Sequence, residues 1–386
     1  MKKPTSHIDI ILLLAVLTLM VFSVGLVYSA SATWAMVKKE SSEYFLTRHS
    51  VRVLLGMAMI LLFMKFNYQH LKKVSKAALS TAALFLVVVL IVGGEVRGAS
   101  RWLNFGVLGF QPSEFAKFAL LVHLSVLLSE KKDYLHDFKH GYFPALFWIG
   151  IIMGLVLLQP NFSTAAMIFA LSLLLLFIGR ARLRHIGLTL AVLLPVLAVY
   201  MLSAQYRMQR ILGFLGLGDQ AAEGGRMNYQ VYQGILGFGN GGLVGVGPGE
   251  SRQRDFFLPE SYGDFIYSII GEEYGFLGTI LVLVLFVVIM GRGFKIAKHA
   301  PDDFGRYLAV GITSMITLYA VVNAGVTLGV LPTTGLPMPF ISYGGSAILV
   351  TCVAVGVLLN ISSYTNLRPR VQSAPEGDQM QVRKVY

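Results

Sequence analysis

Residues 10–27 read IILLLAVLTLMVFSVGLV, an unbroken apolar run without a charged residue. At about 1.5 Å of rise per residue, such a run as a helix nearly crosses a hydrocarbon core of about 30 Å. Its flanks, Met1-Lys2-Lys3 before it and Ala30-Ser31-Ala32 after it, resemble those of a secretory signal peptide. The run is longer than a signal peptide's apolar region, usually about 7–15 residues, so we read a first membrane helix that stays in the protein. Comparable runs recur along the chain. They predict an all-α polytopic membrane protein with about ten spans, near residues 9–31, 49–66, 75–94, 113–129, 142–158, 164–180, 185–203, 264–291, 306–330 and 341–363.

Composition points the same way. The chain is 55% hydrophobic and 13% charged, where an ordinary soluble domain is about 25% charged. The formal charge of +12 is the kind of surplus that can mark a nucleic-acid partner, but its distribution argues against one. Basic residues collect at alternate span ends: Lys2 and Lys3, Lys72, Lys73 and Lys76, Lys131 and Lys132, Arg180, Arg182 and Arg184, Lys295 and Lys298, Arg368 and Arg370. The positive-inside rule then puts these segments and both termini in the cytoplasm. One large glycine-rich loop, about 204–263, falls outside, between the seventh and eighth spans. Residues 1–366 form one membrane domain, and the polar stretch 367–386 reads as a disordered cytoplasmic tail. The single cysteine, Cys352, lies in an apolar run and says nothing about redox compartment.

Polar residues at the outer ends of spans are where chemistry is expected, because ionisable groups within a span are costly and usually functional. The strongest cluster is Leu258–Glu273, LPESYGDFIYSIIGEE. With Pro259 at a first helical position, Glu260 and Asp264 would share one helix face. Asp264 sits where water gives way to apolar surroundings, and partial desolvation makes a carboxylate a better base. A helix-dipole role would also explain it. A second cluster joins Arg101-Trp102 to Gln111–Lys117, in which Glu114 and Lys117 can pair at i, i+3. That pair either serves a substrate or only neutralises itself, and Arg101 is either an interfacial anchor or a phosphate contact. Gly237–Gly242 matches the pattern GxGxxG, but no parallel-sheet pattern surrounds it. Its glycines suit tight turns or close approach of backbone to a ligand. Arg226, Arg252 and Arg254 nearby suit either an anionic headgroup or a solvated face. No cluster has zinc-site spacing, and no Gly-x-Ser-x-Gly elbow occurs.

Taken together, these blocks resemble the SEDS family (shape, elongation, division and sporulation), whose members polymerise lipid II into glycan strands. The resemblance runs through Val27–Ser31, Gly98–Trp102, Gln111–Lys117, Gln159–Thr164, Tyr229-Gln230, Leu258–Glu273 and Leu331–Ser346, nearly the whole chain. The last two blocks are the most specific. The overall flavour leans to the division branch, the FtsW type, over the elongation branch, the RodA type. The resemblance implies ten spans, cytoplasmic termini and a catalytic aspartate, here Asp264. Departures are Gly263 for Thr, Arg254 for Lys, Thr334 for Lys, and Asn161-Phe162-Ser163 for Asp-Leu-Gly. Two of them, at Thr334 and Asn161, put an obligatory charge at those positions in doubt.

The implied substrate is lipid II, an undecaprenyl-pyrophosphoryl disaccharide pentapeptide, in the outer leaflet of the bacterial cytoplasmic membrane, at the septum for a division enzyme. Forming a β-1,4 bond from an α-linked donor is an inverting single displacement, with Asp264 as general base. Arg101, Arg252 and Arg254 are candidates to hold the leaving pyrophosphate. Glu114, Lys117, Gln159, Glu260 and Ser342 are the further substrate-side candidates. A divalent cation, Mg or Mn, would suit the pyrophosphate, though no carboxylate cage for one stands out. The implied partners are a class B penicillin-binding protein, a single-span transpeptidase, and other divisome proteins. A lipid II flippase, an elongation-type polymerase and a non-catalytic scaffold are the competing readings.

Overall fold

The computed structural model describes residues 8–96, 99–105, 108–215, 217 and 225–365. The tail from 367 and Gly98 lie outside them, as does the side chain of Arg226. The ten expected spans fall on ten helices: α1 (Ile10–Lys39), α2 (Tyr44–Lys65), α3 (Gln69–Val92), α4 (Pro112–Glu130), α5 (Phe143–Leu158), α6 (Phe162–Ile178), α7 (Leu183–Leu202), α10 (Ile266–Lys298), α11 (Asp303–Thr327) and α12 (Gly345–Ser363). Among the described residues, nine helical segments are long and apolar enough to cross a membrane, and α6, with 17 residues, is slightly shorter.

Their packing inverts the rule for soluble proteins. Large apolar side chains point outward, among them Val21, Leu54, Leu84, Ile91, Leu188 and Val199, each more than half exposed. Polar and charged side chains point inward: His49, Glu114, Lys117, Glu272, Glu273, Asn323 and Asn360 are all buried. Lipid tails solvate the apolar surface, so the interior is where polar groups find partners. The most enclosed of the spans are α4, α11 and α12. Helix α4 touches α3, α5, α6, α11 and α12, and its first turn opens on Pro112, which sacrifices no intrahelical hydrogen bond.

The expected cytoplasmic end is pinned by polar knots. Asp9 caps α1 by accepting from the Leu12 N–H and forms an ion pair with Arg292 at 2.6 Å, while its own N–H donates to Ser362 Oγ. Thus α1, α10 and α12 are tied at one point.

The outer segments differ from expectation in three ways. Residues 204–263 are not a plain glycine-rich loop but carry two further helices, α8 (Gln205–Phe214) and α9 (Gly225–Gly241). Gly237–Gly241 therefore lies inside α9, and of this motif only Gly242, with a φ of 53°, falls in the turn that follows. A Cβ on Gly241 would stand 1.9 Å from the Gly271 carbonyl oxygen, and one on Gly234 2.8 Å from Ser268 Oγ. Here the glycines allow α9 and α10 to touch backbone to backbone. Secondly, Pro259 does not begin a helix. Residues 258–265 form successive turns and α10 starts only at Ile266, so Glu260 and Asp264 do not share a helix face. Glu260 has a left-handed φ of 60°, which breaks the helical path there. Thirdly, the otherwise helical chain has a small antiparallel sheet after α3, in the order β1 (Gly94–Val96), β2 (Ala99–Phe105), β3 (Leu108–Phe110). Trp102 pairs with Gly94, and Leu103 with Phe110.

Candidate active site

The Asp264 turn is held from two sides. The loop from α11 to α12, residues 328–344, lies against it. Ser342 Oγ accepts from the Met338 N–H and donates to the Gly263 carbonyl, each at 2.8 Å. The Tyr343 N–H donates to the Tyr262 carbonyl at 2.9 Å. Asn323, from the interior of α11, donates through Nδ2 to both the Asp264 and the Leu336 carbonyls, each at 2.8 Å. From the opposite side, Ser261 Oγ donates to the Ala30 carbonyl of α1 at 2.9 Å. Every residue from 261 to 264 is thus fixed by its own backbone or side chain, and rigid support of this kind gives a catalytic group a defined position.

The Asp264 side chain is half-buried, and its Oδ2 faces Gly335. That glycine has a φ of 72°, and a Cβ there would meet Oδ2 at 3.4 Å. The backbone conformation favours a residue without a side chain, and a Cβ there would lie in van der Waals contact with the carboxylate. Glu260 turns back on its own loop, with Oε2 3.4 Å from where a Cβ of Gly263 would stand.

Glu114 and Lys117 form a buried ion pair at 2.8 Å, and the Lys117 ammonium lies 3.9 Å from the centre of the Tyr319 ring. A cavity of about 20 Å³ beside the pair is lined by Tyr319, Met338, Ser342 and Thr351 among others. That is room for about one water. Ser342 therefore touches both the Asp264 turn and the cavity of the ion pair.

The arginines expected at the pyrophosphate separate. Arg101, on β2, donates from Nε to the Gln159 carbonyl at 3.1 Å and from Nη2 to the Pro160 carbonyl at 2.5 Å. Burial lowers its pKa, and the neighbouring Tyr206 and Tyr200 act in the opposite direction. Gln159 is itself buried and donates to the Leu86 carbonyl at 3.1 Å, so it braces Arg101. Arg254 is turned towards α1, where Nη1 donates to the Ser29 carbonyl at 3.2 Å. Ser29 Oγ in turn donates to Glu273. Arg252 is exposed. Glu272 accepts from Ser251 Oγ, the Gln253 N–H and Asn240 Nδ2 at 2.5–3.2 Å. These contacts make Arg254, Glu272 and Glu273 the fastening of the 240–257 segment onto α1 and α10.

Three residues near the site were missed by sequence reasoning. An asparagine within an apolar span, Asn323, is a readable signal because such polar groups seek partners. Arg207 and Arg210 lie three apart on α8, a spacing that shows only once the helix is recognised. Arg210 Nη1 donates to the Thr333 carbonyl at 3.3 Å. Burial lowers its pKa, the Arg101 charge adds to that, and the Asp264 carboxylate opposes it. No group of three or more His, Cys, Asp or Glu side chains gathers at metal-binding distance among the described residues. The described residues therefore show no protein cage for a divalent cation.

The profile of the family described as "Cell cycle protein", FtsW/RodA/SpoVE, matches residues 9–367. The chain belongs to this family. Among its FtsW/RodA/SpoVE relatives, a probable peptidoglycan glycosyltransferase FtsW from Geobacter metallireducens is 38% identical, over 94% of this chain and 96% of that protein. Stage V sporulation protein E of Bacillus subtilis is 39% identical, over 92% and 97%. Two solved structures share the fold. One is a chain of a peptidoglycan synthase complex that coordinates polymerisation and crosslinking, with a TM-score of 0.75 at 28% identity, covering 92% of this chain and 98% of that one. The other is Thermus thermophilus RodA, with a TM-score of 0.69 at 25% identity, covering 94% and 99%. The matched range includes the Asp264 turn and the 331–346 loop, the two segments that meet in the fold.

Proposed function

We propose that this chain is a division-type peptidoglycan glycosyltransferase that polymerises lipid II on the outer face of the bacterial cytoplasmic membrane, at the septum. Family membership and the names of its FtsW relatives support glycosyltransferase activity. The observation that carries the mechanism is the Asp264 carboxylate, half-buried, braced by Asn323 and Ser342, and facing a side-chain-free Gly335.

In the reaction, the acceptor sugar's 4-hydroxyl oxygen attacks C1 of the donor sugar. The new C1–O4 bond forms as the bond from C1 to the pyrophosphate oxygen breaks, with inversion at C1. Asp264 takes the hydroxyl proton, and the polyprenyl pyrophosphate leaves with the bond's electron pair. A positioned base of this kind contributes about 10²–10⁴-fold. Cationic side chains stabilise the leaving pyrophosphate. Glu114 and Lys117, with Ser342, keep the floor of the site polar. A divalent cation at the pyrophosphate remains compatible with the chemistry, but no step here depends on one. An apolar groove of about 370 Å³ between α2, α3, α4 and α12, lined by Leu55, Phe63, Phe118 and Val353 among others, suits a prenyl chain. The partner is a class B penicillin-binding protein, whose single span would pack on the exposed apolar helix faces through close van der Waals fit, with other divisome proteins around the pair.

The test is polymerisation by the purified chain, alone and with that transpeptidase, on labelled lipid II. Glycan strands from wild type, lost in Asp264→Asn at normal expression, are expected. Lipid II that crosses the bilayer without strands forming would contradict the proposal.

A further inference from the structure

We propose that α8 is the diphosphate clamp: Arg207 and Arg210, together with Arg101, bind the two phosphates of a polyprenyl diphosphate beside Asp264. The assignment rests on the polymerase reading above and replaces Arg252 and Arg254 in that task.

Arg210 reaches the Thr333 carbonyl, two residues before Gly335, against which the Asp264 carboxylate lies. Helix α8 and the catalytic turn therefore grip the same short loop from different sides. Arg210 also feels both the Arg101 and the Asp264 charges. Arg207 stacks on Tyr200, its guanidinium carbon 3.9 Å from the ring centre, and lies 5.5 Å from the ring centre of Tyr206, with Arg210 at 5.9 Å from that second ring. Tyr200 is anchored by donating to the Leu157 carbonyl at 2.6 Å and stacks on Phe162. The aromatic faces hold the guanidinium planes in place.

Charge and hydrogen bonding then ask for an anion. Three guanidiniums share one pair of tyrosines: Arg207 lies over Tyr200 and Tyr206, Arg210 over Tyr206, and Arg101 neighbours both, with Asp264 the carboxylate that acts on Arg210. Arg207 Nε and Nη1 are shielded from solvent and have no hydrogen-bond partner among the described residues. A buried donor without an acceptor is costly, and an oxyanion removes that cost. A diphosphate diester carries a negative charge on each phosphate and so matches the clustered guanidiniums, and the forked N–H geometry of arginine suits phosphate oxygens. Arg254, by contrast, has a carboxylate of its own, with Nε 3.6 Å from Asp255 Oδ1 and Nη1 donating to the Ser29 carbonyl, and Arg252 is exposed.

The experiment measures equilibrium binding of undecaprenyl pyrophosphate and undecaprenyl phosphate to the purified full-length protein. Arg207→Gln and Arg210→Gln should each weaken diphosphate binding about tenfold or more, as expected for lost charge-assisted bonds. Monophosphate binding should change less, and Arg252→Gln should bind as wild type does. Melting temperatures report whether each variant is folded, and Arg207→Lys, which keeps the charge without the fork, should fall between wild type and Gln. Folded Gln variants with wild-type diphosphate binding would overturn the clamp, as would a wild type that does not prefer the diphosphate. Binding needs no turnover, so a failure of Asp264 as base would appear in polymerisation alone and leave this result standing.

Discussion

Asp264 is a turn residue whose place is set by other residues' hydrogen bonds. Asn323 is the most exacting of them, because one amide serves two carbonyls on different segments. Asn323→Leu should leave both carbonyls without their donor, each at a cost of roughly 1–3 kcal/mol. We expect a folded protein with polymerisation lowered at least about tenfold, since a misplaced base loses rate steeply. The measurement is kcat on lipid II with membrane levels compared, and a wild-type kcat would remove Asn323 from the positioning role. Gly335→Ala tests the facing wall. Its φ of 72° predicts backbone strain of about 1–3 kcal/mol in a residue with a Cβ, and loss of activity as the loop facing the carboxylate shifts. Full activity in Gly335→Ala would show that Asp264 does not depend on that wall. The half-buried position of Asp264 was legible in the sequence, as a carboxylate at a wet-to-apolar border. Its braces were not, because hydrogen bonds from residues 323 and 342 come from elements distant in the chain.

At the scale of elements, the spans were legible because run length and charge alternation are local properties. The outer segment was not. A glycine-rich stretch looks like turns, yet Gly234, Gly237 and Gly241 sit on one side of α9 against α10, a contact that only the partner helix reveals. Gly241→Ala would drive a methyl group into the Gly271 carbonyl, so α9 must shift. We expect a loss of about 1–3 kcal/mol, the usual cost of overpacking, read as a lower melting temperature in detergent, and an unchanged melting temperature would contradict the crossing. Pro259 misled in the opposite direction: it suits a helix start, but the left-handed Glu260 behind it prevents one. The Glu114–Lys117 pair offers a further test. Lys117→Met leaves a buried carboxylate alone at a cost of about 3–5 kcal/mol, whereas Glu114→Gln with Lys117→Met should recover most of it. Equal instability in the single and double variants would mean that the pair is not what holds α4 in place.

For the whole molecule, the proposed polymerisation of lipid II requires the Asp264 end of the bundle to face outward. Cys352 is buried, so Cys352→Ala gives a clean background for labelling. Val244→Cys, on the segment after α9, should react with an impermeant thiol reagent in intact spheroplasts. His299→Cys, between α10 and α11, should react only after permeabilisation. The opposite pattern would invert the topology drawn from positive-inside charge. Orientation and geometry then meet in one quantity, glycan-chain formation by purified protein with its transpeptidase partner on labelled lipid II, wild type against Asp264→Asn. Asparagine keeps the size and polarity of the side chain and removes its basicity. The account predicts strands from wild type and a rate lowered by about 10²-fold or more in the variant, with folding and partner binding intact. An Asp264→Asn protein that polymerises at the wild-type rate would contradict it.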